Sequence, residues 1–119
     1  MLKLLKKLQT AHPGVALKFR HEAGPRGYIS LLKFTEKGAR ATRTTVARAG
    51  RFRKAAEQCG VRVVGQYWTL EAYDGVLVLK ADQENDALRC LTELASDGFV
   101  STHTLPAFEA NEITALLKR

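Results

Sequence analysis

Residues 61–81, VRVVGQYWTLEAYDGVLVLKA, decide the fold. Residues 61–70 are rich in β-branched and aromatic side chains, residues 71–75 have turn composition, and Val76-Leu77-Val78-Leu79 resumes as a second strand, so the stretch predicts a β-hairpin. Upstream, Val46, Ala49, Phe52, Ala56 and Cys59 recur at threes and fours, the spacing of a helix that buries one stripe and carries its arginines elsewhere. Gly60 is placed to end that helix in the left-handed conformation, and Thr35 or Thr42 can cap its start. Before it, residues 28–34 read as a strand. Downstream, Asp82 opens a second helix with Glu84 and Asp86 in its positive first turn, and Ala87, Leu88, Leu91, Leu94 and Ala95 form the buried stripe before Gly98. Residues 99–105 give the last strand, which Pro106 is expected to break. Ile113, Leu116 and Leu117 then share one side of a short terminal helix, with Lys118 and Arg119 at its negative end.

The order β-α-β-β-α-β plus a terminal helix predicts an α+β, ferredoxin-like domain: a four-stranded antiparallel sheet with two helices on one face. Such a sheet leaves its other face bare. A face open to water calls for alternating apolar and polar residues, yet Ile29-Ser30-Leu31-Leu32, Val63-Val64 and the run 76–79 are apolar on both sides. The simplest cover is a second copy of the same sheet, since twofold dimers are the commonest oligomers; the N-terminal tail is the other candidate.

At 119 residues, with 45% apolar and 26% charged, the chain is sized for one core and composed like a globular protein. No apolar run approaches the roughly 20 residues of a membrane span, and the start lacks the uninterrupted apolar core of a signal peptide, so a cytoplasmic location is expected. Residues 1–27 form a basic extension. Leu2, Leu4, Leu5 and Leu8 alternate with lysines as a short amphipathic helix that should stop before Pro13, a weak strand pattern follows at 15–19, and a Gly/Pro cluster at 24–27 separates this tail from a domain at 28–119. The net charge of +7 divides unevenly, with +5 in residues 1–27, +5 in 36–60 and −4 in 61–119. That asymmetry raises nucleic acid or an anionic membrane as a partner, although a solvated helix face explains Arg40, Arg43, Arg48, Arg51, Arg53 and Lys54 equally simply. Cys59 and Cys90 belong to no CxxC or CxxH pair, and are expected as two reduced, packed thiols rather than a disulfide or a zinc site.

Phe34-Thr35-Glu36-Lys37-Gly38 at a strand-to-helix junction, Tyr67-Trp68-Thr69-Leu70 followed by Tyr73-Asp74-Gly75-Val76 in the hairpin, and Thr102-His103-Thr104-Leu105 with Phe108 in the last strand occur in a familiar order. On these residues the segment 28–118 resembles the GYD domain family of small bacterial and archaeal proteins. The resemblance implies a ferredoxin-like fold of the kind that forms dimeric α/β barrels, and it implies no activity, since the family's function is unknown. The family pattern has glycine two residues before the Tyr-Asp pair, where this chain has Glu71. Residues 1–27 match nothing in the family.

Within the domain, Tyr73 and Asp74 are candidates for a hydrogen-bonding or acid-base pair at a pocket mouth, although turn chemistry alone accounts for Asp and Gly there. Tyr67 and Trp68 are adjacent on a strand and so point to opposite faces. One of them, with some of Tyr28, Ser30, Ser101, His103 and Thr104, is expected to line a cavity on the open face. His103, the domain's single histidine, is a candidate acid or base without an identifiable partner. No phosphate-cradling loop, nucleophile elbow or HExxH helix occurs, so neither cofactor nor metal is expected. The strand 76–79 lacks the stacking aromatics of an RNA-recognition sheet.

Three readings follow. The first is a homodimeric small-ligand-binding or interaction module whose sheet-to-sheet space holds a small, mostly apolar ligand or no ligand at all. The second is a cofactor-independent enzyme of the dimeric-barrel type, monooxygenase- or isomerase-like, using His103, Asp74 or Tyr73. The third is a weak polyanion or membrane-surface binder that uses the basic N-terminal half.

Overall fold

The computed structural model describes residues 26–118; the expected Leu/Lys helix and weak strand fall outside the described residues. The elements run β1 (Arg26–Phe34), α1 (Glu36–Arg40), a 3₁₀ turn (Thr42–Thr44), α2 (Thr45–Gln58), β2 (Val61–Trp68), β3 (Gly75–Ala81), α3 (Glu84–Ser96), β4 (Val100–Ala107) and α4 (Ala110–Leu117). The four strands lie in the order β2-β3-β1-β4, every neighbouring pair antiparallel. This is the α+β, ferredoxin-like architecture that the hairpin and its flanking helices predict.

Pro25–Ala107 form one compact unit, and α4 belongs to a second. Taken by itself, α4 opens with a capping box in which the Glu109 and Glu112 side chains each bond the other's backbone N–H.

On one face of the sheet, Tyr28, Leu77, Leu79, Ala81, Val61 and Val63 meet Ala56 of α2 and Ala87, Cys90 and Leu91 of α3 to form the core. Ser30 is fully buried on this side, where its hydroxyl bonds that of Thr104 at 3.0 Å. The opposite face carries Ile29 and Leu31 of β1 beside Val76 and Val78 of β3, all half-buried, and the exposed Leu105 of β4. Alternation along each strand is therefore real, but both sets are apolar in the centre of the sheet.

A bulge in β2 changes which side chains go where. Val63 pairs with Leu79 but Gly65 pairs with Val78, so Val64 is the extra residue and every side chain after it changes face. Gln66 thereby reaches the helix side and donates to the Ala49 carbonyl at 2.9 Å. Tyr67 goes to the open face, with its ring over Gly65, where an added Cβ would come within 2.7 Å of the ring edge.

Four local expectations are corrected. The basic segment is two helices rather than one: Thr35 caps α1 by accepting the Gly38 N–H at 3.1 Å, and Ala41, at φ −116°, interrupts the helix before α2 starts. The stripe of α2 is narrower than its spacing suggests, because Val46 and Cys59 are exposed while Ala56 is fully buried. In α3, Leu88 is likewise exposed and Cys90 takes the inward position. Pro106 does not end β4 but pairs with Tyr28 inside it. An edge strand tolerates proline because a missing N–H that would point away from the sheet costs no ladder bond.

Candidate functional site

α2 packs mainly on β2, while α3 crosses β3 and β4. Between them the helix side of the sheet holds a cleft of about 600 Å³. Leu32, Phe34 and Leu77 form its floor; Arg48, Arg51 and Phe52 line it from α2, and Glu93, Leu94 and Asp97 from α3 and its C-terminal end. Trp68 and Phe99 also border it. That volume lies within the range of small-molecule sites, roughly 300–1,000 Å³.

Each polar group around the cleft has a local reason for its position. The bulge turns Trp68 toward α2, and its indole N–H donates to the Thr45 hydroxyl at 3.1 Å, tying the end of β2 to the start of α2. Arg48 donates to the Ala41 carbonyl at 2.8 Å and to the Thr44 hydroxyl, and its guanidinium lies 4.2 Å from the centre of the Phe99 ring. The Lys37 ammonium lies 4.3 Å from the same ring centre. These cation–π contacts, with Arg48's hydrogen bonds, hold that corner in place.

Asp74 is anchored on β1. Its carboxylate accepts the Phe34 N–H at 2.7 Å, its own N–H donates to the Leu32 carbonyl at 2.8 Å, and its carbonyl accepts the Thr69 N–H at 3.0 Å. The Thr69 hydroxyl closes the loop by donating to the Tyr73 carbonyl at 2.7 Å. Glu71 adopts φ +77°, the left-handed conformation for which glycine is suited. Glu71 thus takes a conformation that suits the glycine of the family pattern, at the cost of a strained residue.

Of the residues singled out in the sequence, Tyr67, Trp68 and Asp74 border the cleft, and Tyr73 and His103 are not among its lining. Tyr67 and Trp68 take opposite faces as expected. This cleft, however, is on the helix side and not on the open face. Tyr28, Ser30 and Thr104 also belong to the helix side, through the even register of β1 and its pairing with β4. His103 sits on the open face opposite Leu31 and is exposed. Within the chain, His103 and Asp74 therefore do not form an acid-base pair. Sequence reading missed the cleft because it is a gap between two helices, and the helical spacing of Phe52 and Leu94 is the same whether they meet each other or not.

Cys90 is buried against the sheet, and burial, with Cys59 and Glu93 close by, pushes its thiol up to about 11. Cys59 is exposed, so only one of the two thiols is packed. Among the described residues no three His, Cys, Asp or Glu side chains are grouped to hold a metal ion. No helix among them is long and apolar enough to cross a membrane. On the basic segment, Arg40 pairs with Glu36 at 3.0 Å and Arg53 donates to the Val63 carbonyl at 3.1 Å, so with Arg48 several of its cations have local partners.

A solved crystal structure of MtbAldR shares the fold, with a TM-score of 0.57 and 17% identity over 71% of this chain and 54% of that one. This chain thus spans about half the length of that protein. A protein of Thermus thermophilus named glutamine synthetase and cystathionine beta-lyase binding protein is 36% identical over 95 residues, which cover 76% of this chain and 97% of the relative. Residues 28–117 match the model of the GYD domain, running from the first strand through α4. The chain belongs to the GYD domain family.

Proposed function

We propose that this protein is an interaction module that works as a homodimer, with two copies paired through the open faces of their sheets. The observation that carries the reading is the apolar centre of that face: Ile29, Leu31, Val76 and Val78, flanked by Tyr67, 60% exposed, and Leu105, 43% exposed. Four strands about 4.8 Å apart and eight residues long give a footprint of roughly 19 by 26 Å. Two such faces remove on the order of 1,000 Å² from water, the lower bound for a stable interface. The relative named for binding two enzymes supports an interaction role, and by that likeness the partners to test first are glutamine synthetase and cystathionine beta-lyase.

The reading includes a cytoplasmic location, an N-terminal tail that ends before β1 begins at Arg26 rather than at residue 27, and at most weak contact with nucleic acid or membrane. Light scattering at micromolar concentration tests the dimer: about twice 13.2 kDa is expected. Val78→Lys, placed in the centre of the face, should give a folded monomer. A wild-type monomer, or a Val78→Lys dimer, removes this reading.

A further inference from the structure

The cleft between α2 and α3 has charges of opposite sign on its two walls, and they do not meet. Arg51 on α2 has no ion-pair partner among the described residues, and Arg48 is held by uncharged oxygens and the Phe99 ring. On the α3 side, the Glu93 and Asp97 carboxylates have no ion pair among the described residues, and Ser96 and Lys37 bond only the backbone carbonyls of these two residues. Asp74 also borders the cleft, but its carboxylate is engaged by the Phe34 N–H. The two signs face one another across about 600 Å³ over a floor of leucine and phenylalanine, with no ion pair between them among the described residues.

We propose that this cleft binds a small zwitterion with an apolar body, of dipeptide size, its carboxylate toward Arg51 and Arg48 and its ammonium toward Glu93 and Asp97. Charge complementarity selects this occupant over simpler ones. A purely apolar ligand would strip water from charges on both walls without replacing it. An anion would meet Glu93 and Asp97, and a cation would meet the two arginines. A zwitterion pairs with both walls while its side chains lie on Phe52, Leu94 and Trp68. The site is on the helix side of the sheet and does not rest on pairing through the open face.

Trp68 is the chain's one tryptophan and is half-exposed at the cleft, so its emission reports occupancy. The full chain is titrated with phenylalanyl-leucine, with its N-acetyl form, which lacks the ammonium, and with its C-terminal amide, which lacks the carboxylate. A saturable shift to the blue is expected with the free dipeptide, and binding about tenfold weaker for each blocked form, as for loss of one charge-assisted hydrogen bond. Arg51→Gln should weaken the free and acetylated forms but not the amide, and Glu93→Gln should weaken the free and amidated forms but not the acetylated one. Both positions are exposed, so both variants should fold. The proposal is overturned by equal binding of the three forms, by variants with no such selectivity, or by no change in emission at millimolar dipeptide.

Discussion

Replacing Asp74 by alanine removes the acceptor of the Phe34 N–H and leaves that donor, at the end of the central strand β1, without a partner in a half-buried corner. A hydrogen bond to a charged group contributes about 1.5–3 kcal/mol, so Asp74→Ala should cost about 2 kcal/mol. For a domain of this size that corresponds to a fall of roughly 10 °C in melting temperature. Asp74→Asn keeps an acceptor oxygen at the same place but loses the charge, which about halves such a bond, so a cost of about 1 kcal/mol is expected. The bonds made by the Asp74 backbone at 2.8 and 3.0 Å persist in both variants, so the measured difference isolates the carboxylate. Urea unfolding followed by circular dichroism gives both values. A loss below about 0.5 kcal/mol for alanine, the level of an ordinary surface substitution, would refute the anchoring role, as would equal losses for asparagine and alanine.

Gly38→Ala should be severely destabilising, because a Cβ there overlaps the Phe99 carbonyl oxygen, a backbone atom that cannot swing aside; a cost at or above the usual 1–3 kcal/mol of overpacking, about that of the worst core insertions, is expected in the same assay. Glu71→Gly should stabilise by about 0.5–1 kcal/mol, since relief of roughly 1–2 kcal/mol of left-handed strain is partly offset by the freedom glycine gains in the unfolded chain. Iodoacetamide at pH 8 should label Cys59 in the native protein, and Cys90 only after unfolding, as mass spectrometry of the intact chain would show; rapid double labelling would contradict the burial of Cys90. Because the Cys90 thiol rises from 9.0 to about 11 on folding, its contribution to stability is complete below pH 9 and is lost as the pH climbs toward 11, and a Cys90→Ala variant should lose less stability across that window.

Much of the architecture is legible in residues 61–81 because a hairpin needs only local information: two β-rich runs, a turn, and a period of two. The helix assignments on either side rest on equally local periodicity. Where those readings fail, the cause is a contact made with something distant in sequence. Val46 and Leu88 fit their helical stripes but remain exposed, since a stripe is buried only as far as the partner surface extends. Pro106 is tolerated because β4 lies at the edge of the sheet, a fact about strand order that proline itself does not encode. Glu71 marks the reverse case. The Tyr-Asp-Gly motif keeps its turn although the glycine expected upstream is absent, because the anchoring of Asp74 to β1 holds the loop in place.

By itself, the sequence determined the class of fold, the order of its elements, the family, and the opposed directions of Tyr67 and Trp68, because these follow from side-chain period and short motifs. Only the tertiary structure decided which of the two aromatics faces the helices, since the bulge at Val64 shifts the register by one residue and exchanges the faces. It also decided that the cavity lies between α2 and α3, bounded by Arg51 on one wall and Glu93 on the other. The distance between two helices is set by how each sits on the sheet, and no spacing within either helix records it.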